Sequence, residues 1–228
     1  MSTRTALITG GNGGLGTATI SAFLAAGWRV VAPVRPGTAD QLPAGVVAVE
    51  ADLTSEADVR AAADRAASDP QAPLRAAVNL VGGYAGAGLI ADTPVADFEA
   101  MLAINLRPTY LTTAAALPHL IAAGGGSVVC VSSRAAKSPF PGAAGYVTAK
   151  AAVLAFAAAV DVEYRTKNVR CNTVLPSVID TPANRAAMPD ADHGRWVGPA
   201  EIAETVLFLA SDASAPISGA QIPVYGRA

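Results

Sequence analysis

The chain has 228 residues, of which 52% are hydrophobic and only 15% charged, with a formal net charge of −2. That length suits one domain whose sheet is covered on both faces, and the balance excludes a disordered chain or a basic nucleic-acid surface. Two cysteines, Cys130 and Cys171, both inside apolar strand-like runs, predict buried reduced thiols, and a zinc site would need more ligands. The apolar run before the first glycines is too short for a secretory signal, and no uninterrupted apolar segment reaches the ~18 residues of a membrane span. A soluble cytoplasmic protein is expected.

In chain order, residues 6–9 form a minimal apolar strand followed directly by Gly10-Gly-Asn12-Gly-Gly14-Leu15-Gly16 and then a helical pattern carrying Ile20, Phe23 and Leu24. Strand, glycine turn and helix is the context in which glycines admit a pyrophosphate and a helix N-terminus offers it free N–H groups. Two registers fit: Gly11, Gly13 and Gly16, or Gly10, Gly14 and Gly16. Residues 28–34 read as the second strand, with Pro33 tolerable near its end. About twenty residues past the glycines, where a carboxylate would bind an NAD ribose, stand Val34 and Arg35. Arginine there suits a 2′-phosphate and favours NADP(H) over NAD(H), unless Arg35 is only a solvated loop residue.

A third strand over residues 46–49 leads to Asp52 and Leu53. Asp52 either accepts from an adenine amino group or merely precedes the charged helix over residues 55–67. Residues 74–81 form strand four, closing on Asn79, Gly82 and Gly83, whose glycines would let a ribose approach the backbone. The Gly/Ala-rich loop 85–93 is expected to be mobile. A helix from Asp97 follows, with Asn105 interrupting its apolar face and Pro108 predicting a kink.

The chain is organised around the stretch from Val128 to Val160. Its β-branched run ends in Ser132 and Ser133, which reads as a buried parallel strand presenting Ser133 at its carboxyl end. Tyr146 and Lys150 lie four apart on the next helix, so both leave the same face. An ammonium ~4 Å from a phenol at an effective dielectric of ~20 is worth ~4 kcal/mol, enough to lower the phenol's ordinary pKa of ~10 by roughly three units. Tyr146 is therefore expected to exchange protons near neutral pH.

Residues 169–175 form strand six, and Pro176, Ile179 and Thr181 lie on its exit. Residues 183–199 read as irregular and polar, a substrate lid over about 182–199 that carries His193 and Trp196. A last helix covers 200–209 and a last strand 220–225. The alternation predicts a single α/β domain over residues 1–228, a doubly wound parallel sheet of about seven strands with helices on both faces.

Together, Thr9-Gly-Gly-Asn-Gly-Gly-Leu-Gly16, Asp52, Asn79-Leu-Val-Gly82, Asn105, Ser133, Tyr146-x-x-x-Lys150 and Pro176 with Ile179 and Thr181 resemble the short-chain dehydrogenase/reductase family over essentially the full length. The resemblance implies a Rossmann-like fold, a homotetramer or homodimer, and hydride transfer between nicotinamide and a small carbonyl or alcohol, with no nucleic-acid or membrane partner. By the same resemblance Tyr146 is the acid/base, Ser133 holds the carbonyl oxygen, Lys150 grips the nicotinamide ribose and Asn105 anchors a relay water. Gly10, Gly14 and Gly16 would line the pyrophosphate, and Ile179 and Thr181 would hold the carboxamide.

The sequence departs from the family at Leu80-Val81, at Ser177 after Pro176, and in its short ending. The segment from Asp180 to Trp196, with Val81-Gly-Gly-Tyr84-Ala-Gly86, is similar to dihydropteridine reductase. The alternatives are therefore quinonoid pterin reduction, a dinucleotide-binding sensor without turnover, and an isomerase or dehydratase using the same Tyr and Lys. The Ala-rich faces of the helices after Asn105 and Tyr146 are expected to meet a second subunit.

Overall fold

The computed structural model describes residues 4–86 and 88–227. The N-terminal residues 1–3, Ala87 in the expected mobile loop, and Ala228 lie outside them. Seven strands form one sheet: β1 Thr5–Thr9, β2 Arg29–Val34, β3 Val47–Glu50, β4 Leu74–Asn79, β5 Gly126–Val131, β6 Val169–Pro176 and β7 Gln221–Val224. All pairs are parallel, in the order β3-β2-β1-β4-β5-β6-β7. The order reverses between β1 and β4, so the loops leaving these two strands bound a crevice at the sheet's carboxyl edge.

Among the described residues there are seven helices, α1 Gly14–Ala25, α2 Glu56–Ala67, α3 Val95–Asn105, α4 Arg107–Ala122, α5 Ala144–Tyr164, α6 Pro182–Ala187 and α7 Pro199–Ala210, of which α1, α2, α4, α5 and α7 pack on the sheet. Successive strand residues point to opposite faces, and both faces are buried. Ala6, Ile8, Val30 and Val129 pack with Ile20 and Phe23 of α1 and Val206 and Leu209 of α7. Leu7, Val31, Val128 and Cys130 pack on the other side with Leu117 and Leu120 of α4 and Val153 and Val160 of α5. This two-sided burial is why the strands read as continuous apolar runs rather than alternating ones. Each large side chain so buried contributes about 1.5–3 kcal/mol. Pro33 lies past the β1 pairing, which ends at Val31, so β2 loses no ladder bond to β1 there.

Two expectations are corrected. The single kinked helix expected from Asp97 is two helices, α3 and α4, with Leu106 between them at φ −101° and ψ −47°. Pro108 has no N–H to return to the preceding turn, so the ladder breaks and restarts. The segment expected to form a lid is also less irregular than expected. Thr181 caps α6 by accepting from the Asn184 N–H at 3.2 Å, with Pro182 in its first turn, and a 3-10 turn spans His193–Arg195. By length and composition α5 with its extension, Ala144–Lys167, would also suffice to cross a membrane. Here it lies along the sheet, with Lys150 and Asp161 both buried.

Candidate active site

The glycine turn after β1 is tightly packed. Gly10 sits at φ +72°, which favours glycine, and a Cβ on Gly16 would lie 1.9 Å from the Gly10 carbonyl oxygen. A Cβ on Gly14 would meet Thr181 Cγ2 at 2.7 Å, whereas one on Gly11 would strike Ile20 on the core side, away from the crevice. Gly10 and Gly14 line the crevice and Gly11 does not. Gly13, Gly14, Leu15 and Gly16 line a cavity of about 620 Å³, and the first turn of α1, whose N–H groups have no intrahelical acceptor, opens onto it. A bare backbone cradle at a helix N-terminus, which any side chain would fill, fits a dinucleotide pyrophosphate.

The far wall of the same cavity is the end of β5 and the start of α5: Ser132, Ser133, Tyr146 and Lys150. The two serines divide their roles. Ser132 Oγ donates to the Lys150 carbonyl at 2.7 Å and joins α5 to the sheet. Ser133 Oγ accepts from the Ala135 N–H at 3.1 Å and stands beside the Tyr146 phenol. Lys150 is 4% exposed; its Nζ donates to the Val131 carbonyl at 3.1 Å and lies 5.9 Å from the Tyr146 ring centroid. A Cβ on Gly82 would come within 2.8 Å of that ammonium, so glycine there clears its place.

The expected acidification of Tyr146 by Lys150 is corrected. Burial pushes the phenol above its ordinary value; the adjacent Ser133 hydroxyl works the other way and Tyr84 adds to the rise. Burial also lowers the Lys150 ammonium to about 8, partly offset by Cys130. The i, i+4 spacing does put both side chains on one face, but the shorter route for the ammonium is back to the Val131 carbonyl. It lies 5.9 Å from the centroid of the tyrosine ring.

The other expected site residues divide. Gly82, Pro176 and Ile179 line the cavity. Thr181 packs on Gly14 and caps α6, at the cavity's edge. Asn105 is fully buried: its Nδ2 donates to the carbonyls of Gly83 and Met101 at 2.9 Å each, and its Oδ1 accepts from the Gly83 N–H at 3.1 Å. The side chain thus clamps the loop after β4, and the mid-helix polar residue is a helix-terminal one.

Asn79 does not face the cavity. Its Nδ2 donates to Thr113 Oγ1 at 3.0 Å, and its buried Oδ1 has no partner among the described residues. Its place in the ladder turns it toward α4, so it supports the sheet. Asp52 folds into its own turn, Oδ1 accepting from the Thr54 N–H and hydroxyl at 2.8 Å each, bonds that hold its carboxyl below the usual range. Leu53 is half-buried beside it. Asn12 donates to Gln41 at 3.2 Å, and Arg35 is exposed just past β2. None of these four lines the cavity; all stand on loops leaving β1, β2 or β3, on the adenosine side of a doubly wound crevice.

Sequence reasoning reached Tyr84 and the segment holding Met188 only through the pterin-reductase likeness, and it missed Arg134, Ser138 and Phe140. Phe140, Arg134, Ser138 and Met188 line the cavity with Tyr84. Tyr84 meets the Tyr146 ring edge-on at 5.2 Å and lies 5.9 Å from Phe140. The available signal was position, since Arg134, Ser138 and Phe140 all lie between Ser133 and Tyr146. Trp196, a candidate lid residue, instead stacks on His193 at 4.4 Å and does not line the cavity. His119 pairs with Asp64 at 2.9 Å, joining α4 to α2.

The family described as short chain dehydrogenase matches residues 4–192. The 2-(R)-hydroxypropyl-CoM dehydrogenase of Xanthobacter autotrophicus is 32% identical, with 98% of this chain and 97% of the relative covered. A solved structure of a short chain dehydrogenase/reductase family oxidoreductase from Burkholderia thailandensis superposes with a TM-score of 0.87 at 32% identity, covering 99% of this chain and 92% of that one. ElxO with NADP bound shares the fold with a TM-score of 0.91 at 23% identity, covering 98% of each chain. With the glycine turn, Ser133, Tyr146 and Lys150 gathered on one cavity, the chain belongs to the short-chain dehydrogenase/reductase family and is an oxidoreductase that transfers hydride between a nicotinamide cofactor and an alcohol or carbonyl substrate.

Proposed function

We propose that the protein interconverts a small carbonyl compound and its alcohol with NADP(H), using Tyr146 as the proton donor and acceptor. The carrying observation is that Tyr146, Ser133 and Lys150 share one cavity with the glycine turn. Gly10, Gly14 and Gly16 would hold the pyrophosphate, Lys150 the nicotinamide ribose, and Ile179 with Thr181 the carboxamide edge. When bound, the nicotinamide supplies or accepts the hydride. Ser133 orients the substrate oxygen toward the Tyr146 hydroxyl, which gives its proton in reduction and takes one in oxidation. A buried phenol with a raised pKa keeps that proton at neutral pH, which favours reduction. Asn105 fixes the loop that walls the site.

NADP(H) is favoured because Arg35 follows β2 in place of a carboxylate and is exposed to meet a phosphate. A homodimer or homotetramer is supported by apolar side chains left exposed on α4 and α5, Tyr110 at 54% and Val162 at 69%. A cytoplasmic setting is supported by Cys130 and Cys171, both free and buried. The pterin alternative rested on the lid and Tyr84, and the presence of Ser133 beside Tyr146 favours the carbonyl reading over it.

The test is NADPH oxidation over a panel of ketones, aldehydes and quinonoid dihydropterin, in wild type and Tyr146→Phe. Loss of roughly 10²–10⁴-fold in the variant, with nicotinamide binding retained, is the expected result. Equal rates would exclude Tyr146 as the acid.

A further inference from the structure

We propose that the substrate of this site carries an anionic group, a carboxylate or phosphonate-like head, and that Arg134 binds it. The inference rests on the carbonyl/alcohol reading above and names the substrate class for it.

Arg134 directly follows Ser133 and lines the same cavity. Its guanidinium lies over the Tyr225 ring, 5.3 Å from the centroid. None of the ion pairs among the described residues includes it, and none of the side-chain hydrogen bonds there uses its donors. The cavity lining contains two cations, Lys150 and Arg134, and no Asp or Glu. Lys150 is already engaged with the Val131 carbonyl. Arg134 is therefore a partly buried residue on the cavity wall whose fork of N–H donors has no partner among the described residues. An unpaired guanidinium on the wall of a pocket suits anions, which it meets bidentately.

The support beneath Arg134 is itself fixed. Ser177 Oγ donates to the Tyr225 carbonyl at 2.7 Å, holding the chain after β7 against the exit of β6. Past Gly226, the Arg227 N–H donates to the Arg195 carbonyl at 3.2 Å, tying the same segment to the lid. Ser177 replaces the glycine that the family resemblance leads one to expect after Pro176, and its hydroxyl supplies that first tie. Tyr225 thus offers a held aromatic face on which the guanidinium rests. A substrate reaching from Ser133 and Tyr146 toward Arg134 would place its apolar middle against Tyr84 and Phe140.

The test uses Tyr146→Phe protein saturated with nicotinamide dinucleotide, so that no turnover intervenes. Calorimetry compares 4-oxopentanoate, 5-oxohexanoate, the matching oxo-phosphonates and the methyl esters of the acids. The expected result is that the anions bind about ten-fold or more tightly than the esters, that added salt shrinks the difference, and that Arg134→Gln in the same background brings the ratio to about one. Arg134→Lys should keep part of it. Whether carboxylate or phosphonate binds better assigns the head group. Equal binding of acid and ester, binding of neither, or a preference that survives Arg134→Gln would overturn the proposal. The salt response of the unsubstituted Arg134 protein reads the proposal even if the Gln variant folds poorly. Failure of the dinucleotide titration would instead refute the oxidoreductase reading, while the anion preference could still be read on the protein alone.

Discussion

The Lys150 ammonium lies 5.9 Å from the centroid of the Tyr146 ring and donates its hydrogen bond to the Val131 carbonyl. Burial therefore dominates both groups, raising the phenol and lowering the ammonium to about 8. Reduction needs the protonated phenol, which is present throughout the neutral range. Oxidation needs the phenolate, which is scarce there. Carbonyl reduction by the free enzyme should show a flat kcat/KM up to the titration of Lys150 near 8, while alcohol oxidation should climb about ten-fold per pH unit below the phenol's pKa. An oxidation profile already level at neutral pH would restore the depressed phenol that the i, i+4 spacing suggested.

Lys150 also links pH to stability. Its folded pKa of about 8 lies below the ordinary lysine value of 10.5, so the folded state holds fewer protons than the unfolded one between those values, and stability rises with pH across that window. Below it the buried charge costs on the order of 3 kcal/mol. Urea unfolding of wild type and Lys150→Met, each measured from below pH 8 to about pH 10.5, should show a gain in wild type that the variant lacks. Parallel curves would mean that the ammonium is not desolvated.

At the glycine turn the two candidate registers separate by substitution. Gly16→Ala places a methyl group 1.9 Å from the Gly10 carbonyl oxygen, whereas Gly13→Ala meets the same oxygen at 3.3 Å. Fluorescence titration with NADPH should show affinity reduced by about ten-fold or more for Gly16→Ala and by much less for Gly13→Ala. Comparable losses in the two would argue against the register of Gly10, Gly14 and Gly16.

Arg35→Ala separates the two dinucleotides. A charge-assisted pair with a 2′-phosphate is worth about 1.5–3 kcal/mol, so NADPH affinity should fall by an order of magnitude or more and NADH affinity should hold. A wild-type preference for NADH would overturn the cofactor choice.

Asn105→Ala removes the partners of both the Gly83 N–H and its carbonyl. Leaving such groups unpaired in a buried site costs about 1–3 kcal/mol each. The variant should unfold at a lower urea midpoint and lose nicotinamide affinity as the loop after β4 loosens. Unchanged stability would show that water replaces the clamp.

The fold was legible because its signals are local. The apolar runs, the glycine turn before α1 and the i, i+4 pair on α5 each follow from residues close in sequence, and a sheet buried on both faces makes its strands uniformly apolar. What the sequence did not determine was the direction of side chains that choose between distant partners. Lys150 is drawn to a carbonyl on β5, Asn79 to Thr113 on α4, Asn105 to the backbone of Gly83, and Arg134 to the ring of Tyr225 at the far end of the chain. Chain spacing fixes which face a side chain leaves. Only packing decides what waits there, and the burial that packing imposes set the acidity of Tyr146.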